Sequence, residues 1–152
     1  MGVLIWIENS GVGVWIRESL WGYPIVLSCH AIGMAIVVGV FTMVDIRVLG
    51  FASGIPITAF KRFLIIGWLG FLLNLVSGCL LFTGDAQRFF FQGIFETKMG
   101  LIILGGITMW YLARALSVDP DSPKVKKLAA LSLALWFGAI IAGRLTAYIG
   151  IE

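Results

Sequence analysis

Four long apolar stretches, separated by short polar segments, organise this 152-residue chain. They occupy residues 22–44, 63–83, 99–113 and 128–143, and the last continues beyond Arg144 to residue 151. A helix needs about 20 apolar residues to cross a bilayer. The pattern therefore predicts an all-α integral membrane four-helix bundle, a single transmembrane domain over 1–152. Its spanning helices are predicted at about 22–49, 62–83, 94–115 and 126–151.

The first 20 residues are apolar but do not read as a spanning helix or a signal peptide. Charged residues interrupt the segment, and it lacks the order of basic start, apolar core and cleavage site. Its tryptophans are spaced along a stretch that is broken at residues 9–11, which predicts one or two amphipathic helices at the outer membrane interface over about 3–20. An aromatic run at 89–91 predicts a second interfacial element on the same face.

Composition and charge support a membrane protein and predict its orientation. Hydrophobic residues make up 60% of the chain and charged residues 12%, and the mean hydropathy is +1.02. The net charge of +3 does not come from a basic stripe interleaved with aromatics, so a nucleic-acid partner is not expected. Seven of the eleven basic residues lie between helices one and two or three and four: Arg47, Lys61, Arg62, Arg114, Lys124, Lys126 and Lys127. The positive-inside bias assigns those segments to the cytoplasm, which leaves both termini on the periplasmic side of a multi-pass protein.

The single histidine, His30, lies inside the first apolar stretch and is the strongest candidate functional residue. His30 is eight residues from the outer end of its predicted helix and Arg144 is eight residues before residue 152, and at about 1.5 Å per residue both lie about 12 Å deep. The third apolar stretch is short, so its helix must begin near residue 94, which draws Lys98 below the outer surface. Ionisable groups in a bilayer are functional candidates by default. The alternatives are a neutral His30 hydrogen-bonded to Asn74 or Ser77, a snorkelling Arg144 and an interfacial Lys98.

The second helix carries a face of small and polar residues at spacings of three and four: Gly67, Gly70, Asn74, Ser77 and Gly78. Such a face could receive a flat ligand, with Asn74 as its one amide, or could serve close helix packing. At the inner ends of the helices, Asp45 and Arg47 are predicted to form a solvated helix terminus. The segment 119–123 is predicted to be an ordinary turn, followed by basic anchors.

Several local motifs resemble those of a family of small four-helix bacterial membrane proteins of unknown function, over nearly the whole chain. They are SCHAIG at 28–33, VDIRVLG at 44–50, SGCLLF at 77–82, FETK at 95–98, SLALW at 132–136 and GRLTAY at 143–148. A histidine early in helix one and a lysine at the start of helix three are similar, more distantly, to HemJ-type protoporphyrinogen oxidases and CopD-like membrane proteins. The resemblance implies a bacterial inner-membrane location. The other HemJ-type motifs are not evident here, and we do not carry that enzymatic activity over.

The distant resemblance implies haem b, with His30 as an axial iron ligand and Lys98 in the same site. Together with the depth argument it predicts a haem in the outer half of the bundle, with Lys98 and Arg144 near the propionates and Asn74 in the binding face. The function expected is redox or electron transfer. With one histidine in the chain, the iron is five-coordinate, uses a residue such as Met109, or is shared between two subunits.

Two other functions stay open. The chain could be a cofactor-free accessory or scaffold subunit of a larger membrane complex, in which His30, Asn74 and Arg144 form an interhelical network. It could also be a small transporter or proton conduit, although the sequence shows neither broken helices nor an inverted repeat. A homo-oligomer or membership of a membrane complex is expected in either the haem or the scaffold case.

Overall fold

Four long helices form the body of the molecule in a computed structural model, which describes residues 2–146 and Tyr148 apart from the Lys61 side chain. They are α3 (Gly22–Val48), α4 (Ile57–Gly84), α6 (Gly93–Val118) and α7 (Pro123–Leu145). Each is long and apolar enough to cross a membrane. No strand occurs in the described part of the chain. The predicted all-α membrane bundle is confirmed, and the predicted extension of the last helix to residue 151 lies largely outside the described residues.

Three short helices lie at the end of the bundle where α3 begins and α4 ends, which is the predicted outer end: α1 (Gly2–Glu8), α2 (Gly11–Glu18) and α5 (Ala86–Phe90). The Ser10 hydroxyl caps α2 by accepting from the Gly13 backbone N–H at 3.2 Å. A Cβ on Gly13 would lie 2.5 Å from the Glu8 carbonyl oxygen and 2.7 Å from that of Thr83. Because this glycine leaves room for backbone atoms, α2 packs tightly between α1 and the end of α4.

A carboxylate joins α1 to α5 at this end. Glu8 accepts hydrogen bonds from the backbone N–H of Gln87 at 2.8 Å and from its side-chain amide at 2.7 Å. These bonds stabilise the ionised form and hold the pKa of Glu8 below its usual value. Specific polar contacts therefore tie α1 to α5.

The four spanning helices pack as two hairpins. The first hairpin consists of α3 and α4 and the second of α6 and α7, and the main contact between hairpins joins α3 to α7. Phe41 and Trp136 meet there with ring centroids 5.3 Å apart. These two residues belong to a buried apolar core that fills the inner part of the bundle: Val37, Phe41, Val44, Val48, Phe60, Met109, Leu112, Leu116, Val125, Ala129 and Trp136.

The small-residue face of α4 packs against α3. Cβ atoms added at Gly67 and Gly70 would meet the side chains of Phe41 and Ile36 at 2.5 and 2.6 Å. On α3, a Cβ at Gly33 would lie 2.8 Å from the backbone nitrogen of Asn74. Small residues let the two backbones approach closely, as is typical of membrane helix pairs. Of the two interpretations of this face, close helix packing describes the part around Gly67 and Gly70.

Candidate functional site

His30 lies in the half of the bundle nearest the short helices, half-buried on α3, with its ring against α4. Its Nδ1 is 3.1 Å from the backbone carbonyl oxygen of Asn74 and 3.1 Å from the Ser77 hydroxyl. The Asn74 side-chain amide donates in turn to the His30 backbone carbonyl at 2.9 Å. These contacts form a reciprocal network between α3 and α4, which we call the His30 network.

The network assigns the protonation of the imidazole ring. The Ser77 hydroxyl donates its hydrogen to the Leu73 carbonyl at 2.6 Å, so it faces His30 as an acceptor. The Asn74 carbonyl oxygen is also an acceptor, and a lone pair on Nδ1 would be repelled by both. The Asn74 side-chain nitrogen, a donor, lies farther from Nδ1, at 3.4 Å. The two nearer acceptors favour the tautomer in which Nδ1 carries the hydrogen. In the neutral ring, Nε2 keeps its lone pair, and no hydrogen bond to Nε2 occurs among the described residues.

Gly78 makes room for the ring. A Cβ at this position would lie 3.2 Å from Cε1 of His30 and 3.5 Å from Nδ1. A side chain there would press the imidazole away from α4 and lengthen its hydrogen bonds. Gly78, one turn from Asn74 on the same face, thus provides space for the His30 ring and not for a close approach of the two backbones.

Lys98 reaches the same region from α6. It lines a small cleft with His30 and Asn74, and the cleft walls are otherwise mostly apolar: Met34, Val37, Val38, Ile102, Trp136, Ala139 and Ile140. The aliphatic part of Lys98 lies over Gly143 of α7, where an added Cβ would be 3.4 Å from its Cε. We call this space the His30 cleft. It brings together three of the four predicted site residues.

Arg144, the fourth predicted site residue, is not among the residues that line the cleft. It is exposed on α7, donates to the Tyr148 hydroxyl at 2.9 Å and lies 5.1 Å from the centroid of that ring. Met109, proposed as a second iron ligand, is fully buried in the inner core. It is eleven residues beyond Lys98, about 16 Å along α6. The structure therefore places neither residue in the His30 cleft.

The His30 cleft is small as the helices stand. Its volume is about 20 Å³, which is enough for about one water molecule. Sites for drug-sized ligands measure about 300–1,000 Å³. A molecule as large as a porphyrin therefore requires the two hairpins to move apart at this level.

Asp45 is the polar residue that the sequence interpretation misplaced. The prediction of a solvated helix end is wrong for this residue, because Asp45 is 0% exposed. Neither carboxylate oxygen completes a hydrogen bond of ordinary geometry, although the Ser132 hydroxyl of α7 is close enough to interact with it. Asp45 is four residues beyond the buried Phe41. Because residues four apart lie on the same face of a helix, Asp45 shares the buried face of Phe41, and this spacing could have been read from the sequence.

Arg47, the other residue of the predicted solvated terminus, lies at the inner end of α3. It donates to the backbone carbonyls of Ile55 at 2.8 Å and Ser53 at 3.1 Å. These bonds hold the connection between α3 and α4. Arg47 therefore braces a loop, while Asp45, two residues earlier, faces the core.

Comparison with models of known protein families, with curated proteins and with solved structures finds no match to this chain. Its kinship with the four-helix bacterial family and with the HemJ and CopD types therefore stays a prediction from local motifs. No group of three or more His, Cys, Asp or Glu residues that could hold a metal ion occurs among the described residues. Functional inference accordingly rests on the chemistry of the His30 cleft.

Proposed function

We propose that this protein binds haem b in the outer half of its bundle and serves a redox or electron-transfer role in the bacterial plasma membrane. The observation that carries the proposal is the position of the His30 ring: its Nδ1 lies 3.1 Å from the Asn74 backbone carbonyl oxygen. That acceptor favours the tautomer with the hydrogen on Nδ1, which leaves the Nε2 lone pair for a metal. Metal-ligating histidines almost always donate their other N–H to a carbonyl, carboxylate or water. A bound haem would supply one-electron chemistry at its iron.

The charge in the cleft supports an anionic cofactor. Lys98 forms no ion pair or hydrogen bond with the other described side chains, so its ammonium group is available to a propionate. Such a cation offsets much of the cost of bringing a carboxylate into an apolar site. Arg144, held against Tyr148 on the outside of α7, would contact a propionate only at the rim of the site.

The two hairpins offer a route by which the cleft could widen. Their contact depends mainly on α3 and α7, whereas α3 with α4 and α6 with α7 are packed more extensively. A movement between hairpins would open the His30 cleft without breaking the His30 network, because that network lies within the first hairpin. His30 would stay oriented by α4 while the space opposite it grows.

A cofactor-free structural subunit is the second candidate, and one observation favours it. The His30 network satisfies Nδ1 of His30, the Asn74 side-chain amide and the Ser77 hydroxyl without any ligand. The cleft volume of about 20 Å³ is also too small for a cofactor. In this case His30 fastens α3 to α4 in a scaffold or accessory subunit.

Absorption spectroscopy of the purified protein in detergent separates the two functions. The haem proposal expects a Soret band in the wild-type protein, its loss in His30→Ala, and its retention in Ser28→Ala. Ser28 is a matched control because it lies two residues away on the same helix and its hydroxyl bonds only to the Pro24 carbonyl, at 2.7 Å.

A third variant tests the side chain that helps to orient the His30 ring. Ser77→Ala removes the hydroxyl that lies 3.1 Å from Nδ1 but keeps the Asn74 backbone carbonyl, so it should weaken haem binding by about 10-fold, the lower end of the range that is typical when an outer-sphere partner of a ligand is removed. A wild-type protein that takes up no haem when it is supplied would overturn the haem proposal. An unchanged spectrum in His30→Ala would exclude His30 as the axial ligand.

A further inference from the structure

A second cavity lies at the opposite end of the bundle from the His30 cleft, between the end of α6 and the start of α7. Its volume is about 390 Å³, within the range of small-molecule sites. The turn at residues 119–122 closes one side of it. We call this cavity the basic groove.

Two cations give the basic groove its charge. Arg114 lines it from α6, with its guanidinium 3.8 Å above the ring of Trp110, and Lys124 lines it from the first turn of α7. Neither forms a salt bridge to another described side chain. Asp119 also lines the groove, so the side chains leave a net charge of one positive unit. The N-terminal end of α7 adds partial positive charge from its backbone.

The opposite wall of the groove is apolar and open to the surroundings. Val118 is 87% exposed and Tyr111 is 54% exposed, and both line the groove with Leu128. Arg114 is four residues from the end of α6, about 6 Å along the helix axis. In a spanning helix that depth corresponds to the border between headgroups and acyl chains. Tyr111 is three residues further into α6 than Arg114, and Leu128 is four residues further into α7 than Lys124, whereas Val118 is the last residue of α6. The groove is thus cationic nearer the helix ends and apolar, at Tyr111 and Leu128, towards the membrane interior.

We propose that the basic groove binds an anionic phospholipid, with its phosphate between Arg114 and Lys124 and the start of an acyl chain against Tyr111 and Leu128. A soluble anion would use the cations but would leave the apolar wall exposed. A zwitterionic lipid would bring no net charge to the uncompensated cations. Basic pockets between membrane helices on the cytoplasmic side are a known setting for anionic headgroups, and the charge bias of the chain places this end there.

Lipid titration of the purified protein tests the proposal. Fluorescently labelled phosphatidylglycerol and phosphatidylcholine, matched in acyl chains, are titrated into the protein in detergent. The wild-type protein should prefer phosphatidylglycerol. Replacing one groove cation should weaken that binding about fivefold, since each basic residue near an anionic surface contributes about 1 kcal/mol. The double variant Arg114→Gln with Lys124→Gln should abolish most of the preference.

Matched controls separate a built site from general attraction to positive charge. The double variant Lys126→Gln with Lys127→Gln also removes two positive charges, both from the first turns of α7, but neither residue lines the groove. It should keep the preference, and both double variants should melt like the wild type because all four side chains are exposed. Equal affinity for the two lipids, or equal loss in both double variants, would overturn the proposal. Displacement of the labelled lipid by inorganic phosphate alone would show a soluble-anion site instead.

Discussion

Replacing Gly33 by alanine should force apart the two helices that hold the His30 network. A Cβ at this position lies 2.8 Å from the backbone nitrogen of Asn74 and 3.1 Å from its Cα and Cβ. None of these atoms belongs to a flexible side-chain end, so a rotamer change cannot relieve the clash. The α4 backbone has to move, and with it the amide that donates to the His30 carbonyl at 2.9 Å.

The size of the effect follows from these distances. Ordinary van der Waals contact begins at 3.4 Å, so α3 and α4 must separate locally by about 0.6 Å or more. Overpacking of this kind costs about 1–3 kcal/mol. Alanine offsets part of that through its helix propensity, by up to about 1 kcal/mol relative to glycine. We expect Gly33→Ala to be destabilised by up to about 2 kcal/mol.

Thermal unfolding in detergent, followed by circular dichroism, measures this loss, and Gly39→Ala is the control. Gly39 lies on the same helix, and a Cβ there meets nothing within 4 Å. It should show only the propensity gain, so Gly33→Ala should melt several degrees below Gly39→Ala. If the two variants melt at the same temperature, the tight contact between Gly33 and Asn74 is not a constraint on the fold.

Three further expectations concern other parts of the molecule. Asp45→Asn should leave the free energy of unfolding unchanged or raise it by up to about 3 kcal/mol, because the amide keeps the shape but buries no charge; thermal unfolding measures it. The bond from Gln87 lowers the pKa of Glu8, so its contribution to docking α1 is complete above the usual value of 4.5 and is lost as the pH falls through the lowered folded value. Tryptophan fluorescence against pH should show this loss in the wild type and not in Glu8→Gln. Reporter fusions at Gly54 and Pro120 should report the cytoplasm, and a C-terminal fusion the periplasm.

A different result would contradict each of these three expectations. A large loss of stability in Asp45→Asn would show that the carboxylate has a partner that the asparagine cannot satisfy. An acid transition of the same size in Glu8→Gln would assign it to another group. Inverted fusion reports would place the His30 cleft in the cytoplasmic half and the basic groove outside.

The lengths of the apolar stretches predict the number of spanning helices, because bilayer thickness sets the length required. They also predict where α3 and α6 begin, at about residues 22 and 94, but not where α4 and α7 begin. The second helix was predicted from about residue 62 but starts at Ile57, since its first turns are polar enough to lie at the interface. The fourth was predicted from about 126 but starts at Pro123, where the Ser122 hydroxyl accepts from the Lys124 N–H at 3.4 Å. A serine followed by a proline is typical of the start of a helix. The interpretation of residues 119–123 as a turn overlooked this signal.

The depth of a residue along a helix can be counted from the sequence, but the direction in which its side chain points around the helix cannot. This difference explains why only three of the four predicted site residues line the His30 cleft. His30, Lys98 and Arg144 were grouped by depth. Neighbouring residues on a helix point about 100° apart, and Gly143, directly before Arg144, faces Lys98. Arg144 is therefore turned away from the cleft and bonds to Tyr148, one turn further along. The same rotation places Asp45 in the core and Arg47, two residues later, against the loop carbonyls. Which polar residues share a site is decided by which faces the hairpins bury against each other, and that depends on all four helices together.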